Sequence, residues 1–344
     1  MELKRNRVGR TSLQISNLGL GGTGLGNLYQ AVEDRAALDL VSSVHAAGIN
    51  FYDTAPCYGV GLSEQRLGRA LPTLDRSEIA VSTKVGYSLV PLVPGEEHPT
   101  LFADTPRFRT DYDFSYDGAM RSIEDSLKRL NLDRVNMVAI HDPDETVGAD
   151  PNADPYARSR FREAMDGAYK ALDELRDQRV IDAIGVGMNQ WQMLVDFARA
   201  GDFDYFLLAG RYTLLRYDAA ETLMPLCAEK GISVIVGGPY CSGILATGAV
   251  EGAYFEYAPA TDKVLAKVRR IEGVCAAFGI SLRAAALQFP LAHPAVASVI
   301  PGSRSAEELN QNLVALKEHL PASFWEALSA EQLLDQHALG RSIA

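Results

Sequence analysis

Apolar and polar positions along the chain switch repeatedly between two periods. Short, nearly unbroken apolar runs occur at 18–24, 50–53, 79–84, 135–141, 183–187, 205–210, 232–236 and 296–300, as expected of strands buried on both faces. Between them, 35–48, 63–71, 117–130, 162–178, 191–199, 218–230, 263–290 and 306–317 repeat apolar residues at three- and four-residue spacing, the mark of an amphipathic helix. Strand then helix, eight times over, predicts parallel strands with helical crossovers, and eight such units close a (β/α)8 TIM barrel. A doubly wound open sheet is the alternative, but no Pro/Gly-rich linker divides the chain into halves. The expected architecture is therefore one α/β barrel domain over 1–344. Its core spans about 17–317, with an N-terminal β-hairpin around Gly9-Arg10 and a helical tail at 318–344.

Three connections are long: 85–115, 142–160 and 239–262. Each follows a strand, so all three crowd one barrel end, and long ordered loops of this kind are usually functional. That end is the expected mouth, and the short helix after Pro321 is expected to help cover it. In the helix at 63–71, Leu62, Leu67 and Leu71 share a face, with Glu64, Arg66 and Arg69 off it.

The net charge of −11 argues against nucleic acid and anionic membrane as partners, because both need clustered cations. The N-terminus lacks an apolar signal core and no apolar run reaches the ~18 residues of a membrane span. Four cysteines without CxxC spacing suggest neither a disulfide framework nor a metal site. The expected setting is the cytoplasm, and the expected partner a small molecule.

The chemistry concentrates at strand ends. Asp53 ends the second strand, Lys84 the third and His141 the fourth, while Tyr58 follows Asp53 across a tight loop. These ends neighbour one another in a parallel barrel. A lysine and an aspartate leaving apolar strands should pair, since burying either alone costs several kcal/mol. A buried cation would lower a tyrosine's pKa from its usual value near 10. Tyr58 could then act as acid or base on a substrate oxygen that His141 orients. No side chain supplies a hydride, so a cofactor must.

Two further motifs bear on that cofactor. Gly19-Leu-Gly21-Gly-Thr-Gly24 formally matches GxGxxG, yet the next helix signal begins only near residue 35, which does not fit a Rossmann loop. The glycines are instead expected to let the backbone pass close to a ligand. Ile300-Pro-Gly-Ser-Arg-Ser-Ala-Glu-Glu308 places a Ser/Arg loop at a helix start, suited to phosphate, and includes a possible capping box.

Taken together, NFYDTAPCYGVGLSEQRLGRAL, STK, AIHD, GVGMNQ, GGPYCSG and IPGSRSAEELNQNL resemble the aldo-keto reductase superfamily across about 5–317. The resemblance implies a barrel that binds NAD(P)(H) without a Rossmann domain. It makes Tyr58 the proton donor or acceptor, tuned by Lys84 and Asp53, with His141 positioning substrate. Asn189 would hold the nicotinamide amide. Tyr240, Ser242, Gly302, Ser303, Arg304 and Asn312 would line the pyrophosphate and adenosine site. Gly237 and Ala209 replace a tyrosine and a glutamine common in the family. Glu308 stands where an arginine often grips the 2′-phosphate of NADP, so NAD is the expected cofactor and NADP the alternative.

The GLGGTGLGNLY, GVGMNQW and GGPYCSGIL segments resemble the aldose 1-dehydrogenase branch, with its fucose, galactose and threo-aldose types, and the related pyridoxal 4-dehydrogenases. The implied reaction is oxidation of a cyclic hemiacetal to a lactone, by a monomer or small homo-oligomer. General aldehyde reduction, a Schiff-base aldolase on Lys84 and a cofactor-sensing subunit are the competing readings. Cys57 and Cys241 lie beside this expected site.

Overall fold

A computed structural model describes residues 3–144 and 160–343. The strands are β1 (Arg5–Arg7), β2 (Gln14–Ser16), β3 (Leu20–Gly21), β4 (Phe51–Asp53), β5 (Ala80–Val85), β6 (Tyr87–Pro91), β7 (Phe108–Tyr112), β8 (Met137–His141), β9 (Ala183–Met188), β10 (Tyr205–Ala209), β11 (Ser233–Gly237), β12 (Tyr254–Phe255), β13 (Ala258–Pro259) and β14 (Val296–Ile300). The helices are α1 (Asp34–Ala46), α2 (Leu62–Ala70), α3 (Tyr116–Leu130), α4 (Phe161–Asp166), α5 (Ala168–Asp177), α6 (Trp191–Ala200), α7 (Leu223–Lys230), α8 (Ile244–Thr247), α9 (Asp262–Phe278), α10 (Leu282–Leu291), α11 (Ala306–Lys317) and α12 (Ala322–Ala330).

Eight parallel strands form one sheet in the order β3-β4-β5-β8-β9-β10-β11-β14. Its two edges then meet: Gly19 N donates to Val299 O (2.9 Å), Gly21 N to Pro301 O (3.1 Å) and Val299 N to Asn17 O (3.0 Å). The fold is a (β/α)8 barrel, and its strands are the eight that the apolar runs predict. Hairpin β1–β2 plugs the end away from the mouth. Its Val8 and Ile15 are fully buried in the barrel interior with Phe51, Met137, Tyr205 and Ile235. Burying each such side chain contributes about 1.5–3 kcal/mol.

Several local expectations give way to packing. The 162–178 helix divides at Gly167, because the chain at Phe114–Tyr116 presses against that α-carbon and Ala168 N donates to Phe114 O (2.8 Å). The 218–230 helix starts late, as α7, after a 3₁₀ turn at Asp218–Glu221. The connection 85–115 is not an open loop but carries the antiparallel hairpin β6–β7. Helix α12 does not cover the mouth: Phe324 packs on Phe278 and Trp325 on Phe289, the outer surface of α9 and α10. Most of the 142–160 connection lies outside the described residues.

Helix α2 is buried on nearly every side, so Glu64 and Arg66, expected off the apolar face, are 0% and 4% exposed. The Arg66 guanidinium donates to Leu25 O (2.8 Å), Asn27 Oδ1 (2.7 Å) and Val32 O (2.5 Å), tying the glycine-rich segment to α2. Among the described residues no single helix is long and apolar enough to cross a membrane.

Candidate active site

At the mouth, strand register sets three side chains side by side. Asp53 pairs with Ser82, two residues before Lys84, and Lys84 pairs with Ala139, two before His141. Lys84 Nζ donates to Asp53 Oδ2 (2.7 Å) and to Thr54 O (2.8 Å), and both charges are buried, at 0% and 1% side-chain exposure. The pairing expected from two charges on apolar strands is therefore made. Beneath strand β5, Thr83 Oγ1 donates to Glu64 Oε1 (2.7 Å) and Arg129 Nε to Glu64 Oε2 (2.6 Å), so a second buried ion pair pins the residue next to Lys84.

Tyr58 sits on a loop stapled at both ends. Its N–H donates to Ala55 O (3.1 Å), its carbonyl accepts from Ser63 N (3.2 Å), and Thr54 and Ser63 share a hydroxyl hydrogen bond (2.8 Å). Lys84 Nζ lies 4.6 Å from the Tyr58 ring centroid, and the His141 ring meets Tyr58 edge-on at 5.7 Å. Tyr87 packs on His141 at 5.4 Å and Phe102 on Tyr58 at 6.3 Å, while Tyr254 packs on Tyr29 at 5.8 Å. Segments from two of the long connections thus line one mouth.

The electrostatics correct one expectation. Burial, reinforced by the Asp53 carboxylate, holds the Tyr58 phenol well above the ordinary tyrosine range rather than below it. Lys84 lies over the face of the Tyr58 ring, and Asp53 offsets its charge. Burial pushes the Asp53 carboxyl up against the opposing pull of Lys84. Burial, with Lys84 adding to it, keeps His141 well below its usual value and so neutral.

The glycines of 19–26 sit at close backbone contacts. A Cβ on Gly21 would fall 2.8 Å from Ile300 O, one on Gly22 2.6 Å from Asp53 O, and one on Gly26 2.7 Å from the Tyr58 carbonyl carbon. A Cβ on Gly24 would collide with Ser303 O. They let backbone pack on backbone, so that the 19–26 segment lies against both the Tyr58 loop and the loop after β14.

That second loop forms a polar cradle. Tyr240 Oη donates to Asn312 Oδ1 (2.7 Å), and Asn312 Nδ2 donates to Ser303 Oγ (3.1 Å), with Ser303 and Asn312 both buried. Arg283 joins them, its guanidinium 5.2 Å from the Tyr240 ring centroid and its Nη1 3.3 Å from Asn312 Oδ1. Nothing in the local α10 pattern singles Arg283 out. Ser305 Oγ accepts from Glu308 N (3.2 Å), the first half of the capping box. The second half is missing, because Glu308 turns instead to Arg304: it accepts from that residue's N–H (2.8 Å), Nε (3.1 Å) and Nη2 (2.7 Å). Gly302 stands against Thr23. Ser242 Oγ accepts from Tyr257 N (2.9 Å), and Asn189 Nδ2 donates to Ala209 O (2.9 Å), with Asn189 close enough to the Tyr257 hydroxyl to temper the rise of its pKa on burial. The tip of hairpin β12–β13 therefore reaches the end of β9, a contact no local sequence signal announces.

Comparison with known proteins agrees with this arrangement. The Aldo/keto reductase family model matches residues 17–331. The chain is 34% identical to a pyridoxal 4-dehydrogenase from Microbacterium luteolum, covering 96% of this chain and 98% of that one. It is 35% identical to a D-threo-aldose 1-dehydrogenase from a Pseudomonas species, covering 94% and 95%. In fold it is similar to a solved glycerol dehydrogenase from Gluconobacter oxydans, with a TM-score of 0.74 at 20% identity over 97% and 95% of the two chains. With barrel, mouth and matched segments in agreement, the chain belongs to the aldo/keto reductase family and is an oxidoreductase acting on a carbon–oxygen group of a small molecule with a nicotinamide cofactor.

Proposed function

We propose that the protein oxidises an aldose of the fucose, arabinose or galactose kind, as its cyclic hemiacetal, at the anomeric carbon to give the lactone. NAD is the preferred hydride acceptor. The observation that carries this reading is the buried Lys84–Asp53 pair set under the Tyr58 ring, with neutral His141 at its edge. Tyr58 takes the proton of the anomeric hydroxyl, and His141 hydrogen-bonds the same oxygen. Lys84 supplies positive charge that favours the phenolate form of Tyr58 able to take that proton, and Asp53 fixes its ammonium in place. A phenol held high in the resting mouth releases its proton more readily as pH rises, so oxidation should speed up toward alkaline pH.

The cradle fits a dinucleotide. Buried Ser303 and Asn312, with Tyr240 and Arg283, offer hydrogen bonds for phosphate and ribose, and Asn189 offers an amide near the other end. A nicotinamide held there would supply the hydride acceptor. Glu308 favours NAD, because its carboxylate already holds Arg304 and would repel a 2′-phosphate.

Pyridoxal is the second substrate reading. It is favoured by the aromatic walls at Tyr29, Phe102 and Tyr254 and by the comparably similar pyridoxal 4-dehydrogenase. A Schiff-base aldolase would require a free amine, whereas the Lys84 amine is fully buried and bound to Asp53 and Thr54. A panel of aldoses and pyridoxal, each assayed at 340 nm with NAD and with NADP, tests the proposal. Turnover of an aldose with NAD is the expected result, and no oxidation of any of them would refute it.

A further inference from the structure

His141 has a side chain at each ring nitrogen. Nδ1 lies 3.5 Å from Cys57 Sγ, and Nε2 lies 3.5 Å from Asp142 Oδ2. Because the ring is neutral, it carries one proton, and the two neighbours decide where. An ionised carboxylate can only accept a hydrogen bond, so the Asp142 side calls for a proton on Nε2. That leaves Nδ1 as a lone pair in a buried setting, where an unmet acceptor is costly and a thiol can donate.

The geometry points to Cys57 as a positioning residue: its S–H donates to His141 Nδ1 and fixes the ring in the form that carries its proton on Nε2. This rests on the proposed proton path, in which His141 must offer an N–H to the substrate oxygen. With the proton on Nδ1 the ring would instead turn a lone pair toward an oxygen that also bears lone pairs. The 3.5 Å separation from Asp142 is long for a hydrogen bond. A substrate oxygen can therefore take over the Nε2–H without breaking a strong contact. Cys57 is held for this task by its own loop, where its carbonyl accepts from Val60 N (3.2 Å) just before Tyr58 turns into the mouth.

The test reads the tautomer directly. Long-range nitrogen–proton NMR correlation on ¹⁵N-histidine-labelled protein distinguishes the two forms, and the His141 signals are identified by their loss in His141→Gln. The wild type should show the Nε2-protonated pattern. Cys57→Ala should mix or invert it and lower kcat by about three- to ten-fold, the size of one neutral hydrogen bond, with the NAD dissociation constant unchanged. Cys57→Ser, which keeps a donor, should restore the pattern and most of kcat. A wild-type ring protonated on Nδ1 would overturn the inference, and so would a Cys57→Ala protein with an unchanged tautomer. The NMR result needs no turnover, so it stands apart from failure of the proposed activity.

Discussion

The proposed preference for NAD rests on the pairing of Glu308 with Arg304. Three donors of Arg304, its backbone N–H, Nε and Nη2, converge on one carboxylate at 2.8, 3.1 and 2.7 Å. A 2′-phosphate seeking Arg304 would have to share it with that carboxylate. Two like charges about 4 Å apart repel by roughly 4 kcal/mol at an effective dielectric near 20. The pair is only partly shielded from water, with 42% and 30% of the two side chains exposed. Solvent and salt should cut the repulsion to about 1–2 kcal/mol, roughly a 5- to 30-fold preference for NAD over NADP. Glu308→Gln keeps an acceptor for the Arg304 N–H and removes the charge. The ratio of kcat/KM values for the two cofactors should therefore fall by about that factor. Raising the ionic strength from roughly 0.05 to 0.5 M should narrow the wild-type ratio but barely affect the variant. A wild-type enzyme that prefers NADP, or a Glu308→Gln enzyme with an unchanged ratio, would refute the argument.

Three further outcomes follow from the same structure. Glu64→Ala strands Arg129 beneath β5, and breaking a buried ion pair on one side costs about 3–5 kcal/mol, so the urea midpoint should drop sharply. An unchanged midpoint would show the pair to be dispensable. His141 is held below its unfolded pKa of about 6.5, so its contribution to stability is complete above that value and is lost as pH falls below it. The acid slope of Tm against pH should accordingly be shallower in His141→Asn. Phe102→Ala removes a wall 6.3 Å from Tyr58 and should raise KM for the sugar several-fold, leaving NAD affinity as it was.

The barrel was legible because a strand buried on both faces needs an unbroken apolar run, and all eight runs became sheet strands. Asp53, Lys84 and His141 were legible for the opposite reason, as polar side chains ending such runs. What escaped was decided by distant chain segments. Glu64 and Arg66 read as surface charges on a helix until α2 is found wedged between neighbours, with Arg66 capping carbonyls at Leu25 and Val32. The glycines of 19–26 serve the loop after β14, which lies near the other end of the chain. The upward shift of the Tyr58 pKa comes from full burial of the phenol, reinforced by the Asp53 carboxylate, and burial of that kind is set by the packed loops around it rather than by composition.

The central claim is that Tyr58 moves the proton, and one measurement tests it most directly: turnover of the best aldose by Tyr58→Phe beside the NAD dissociation constant of the same protein. In that variant kcat should fall by about 10²–10⁴, the usual contribution of a positioned acid–base group, while NAD binding stays within about two-fold of wild type. Near wild-type kcat with intact NAD binding would contradict it.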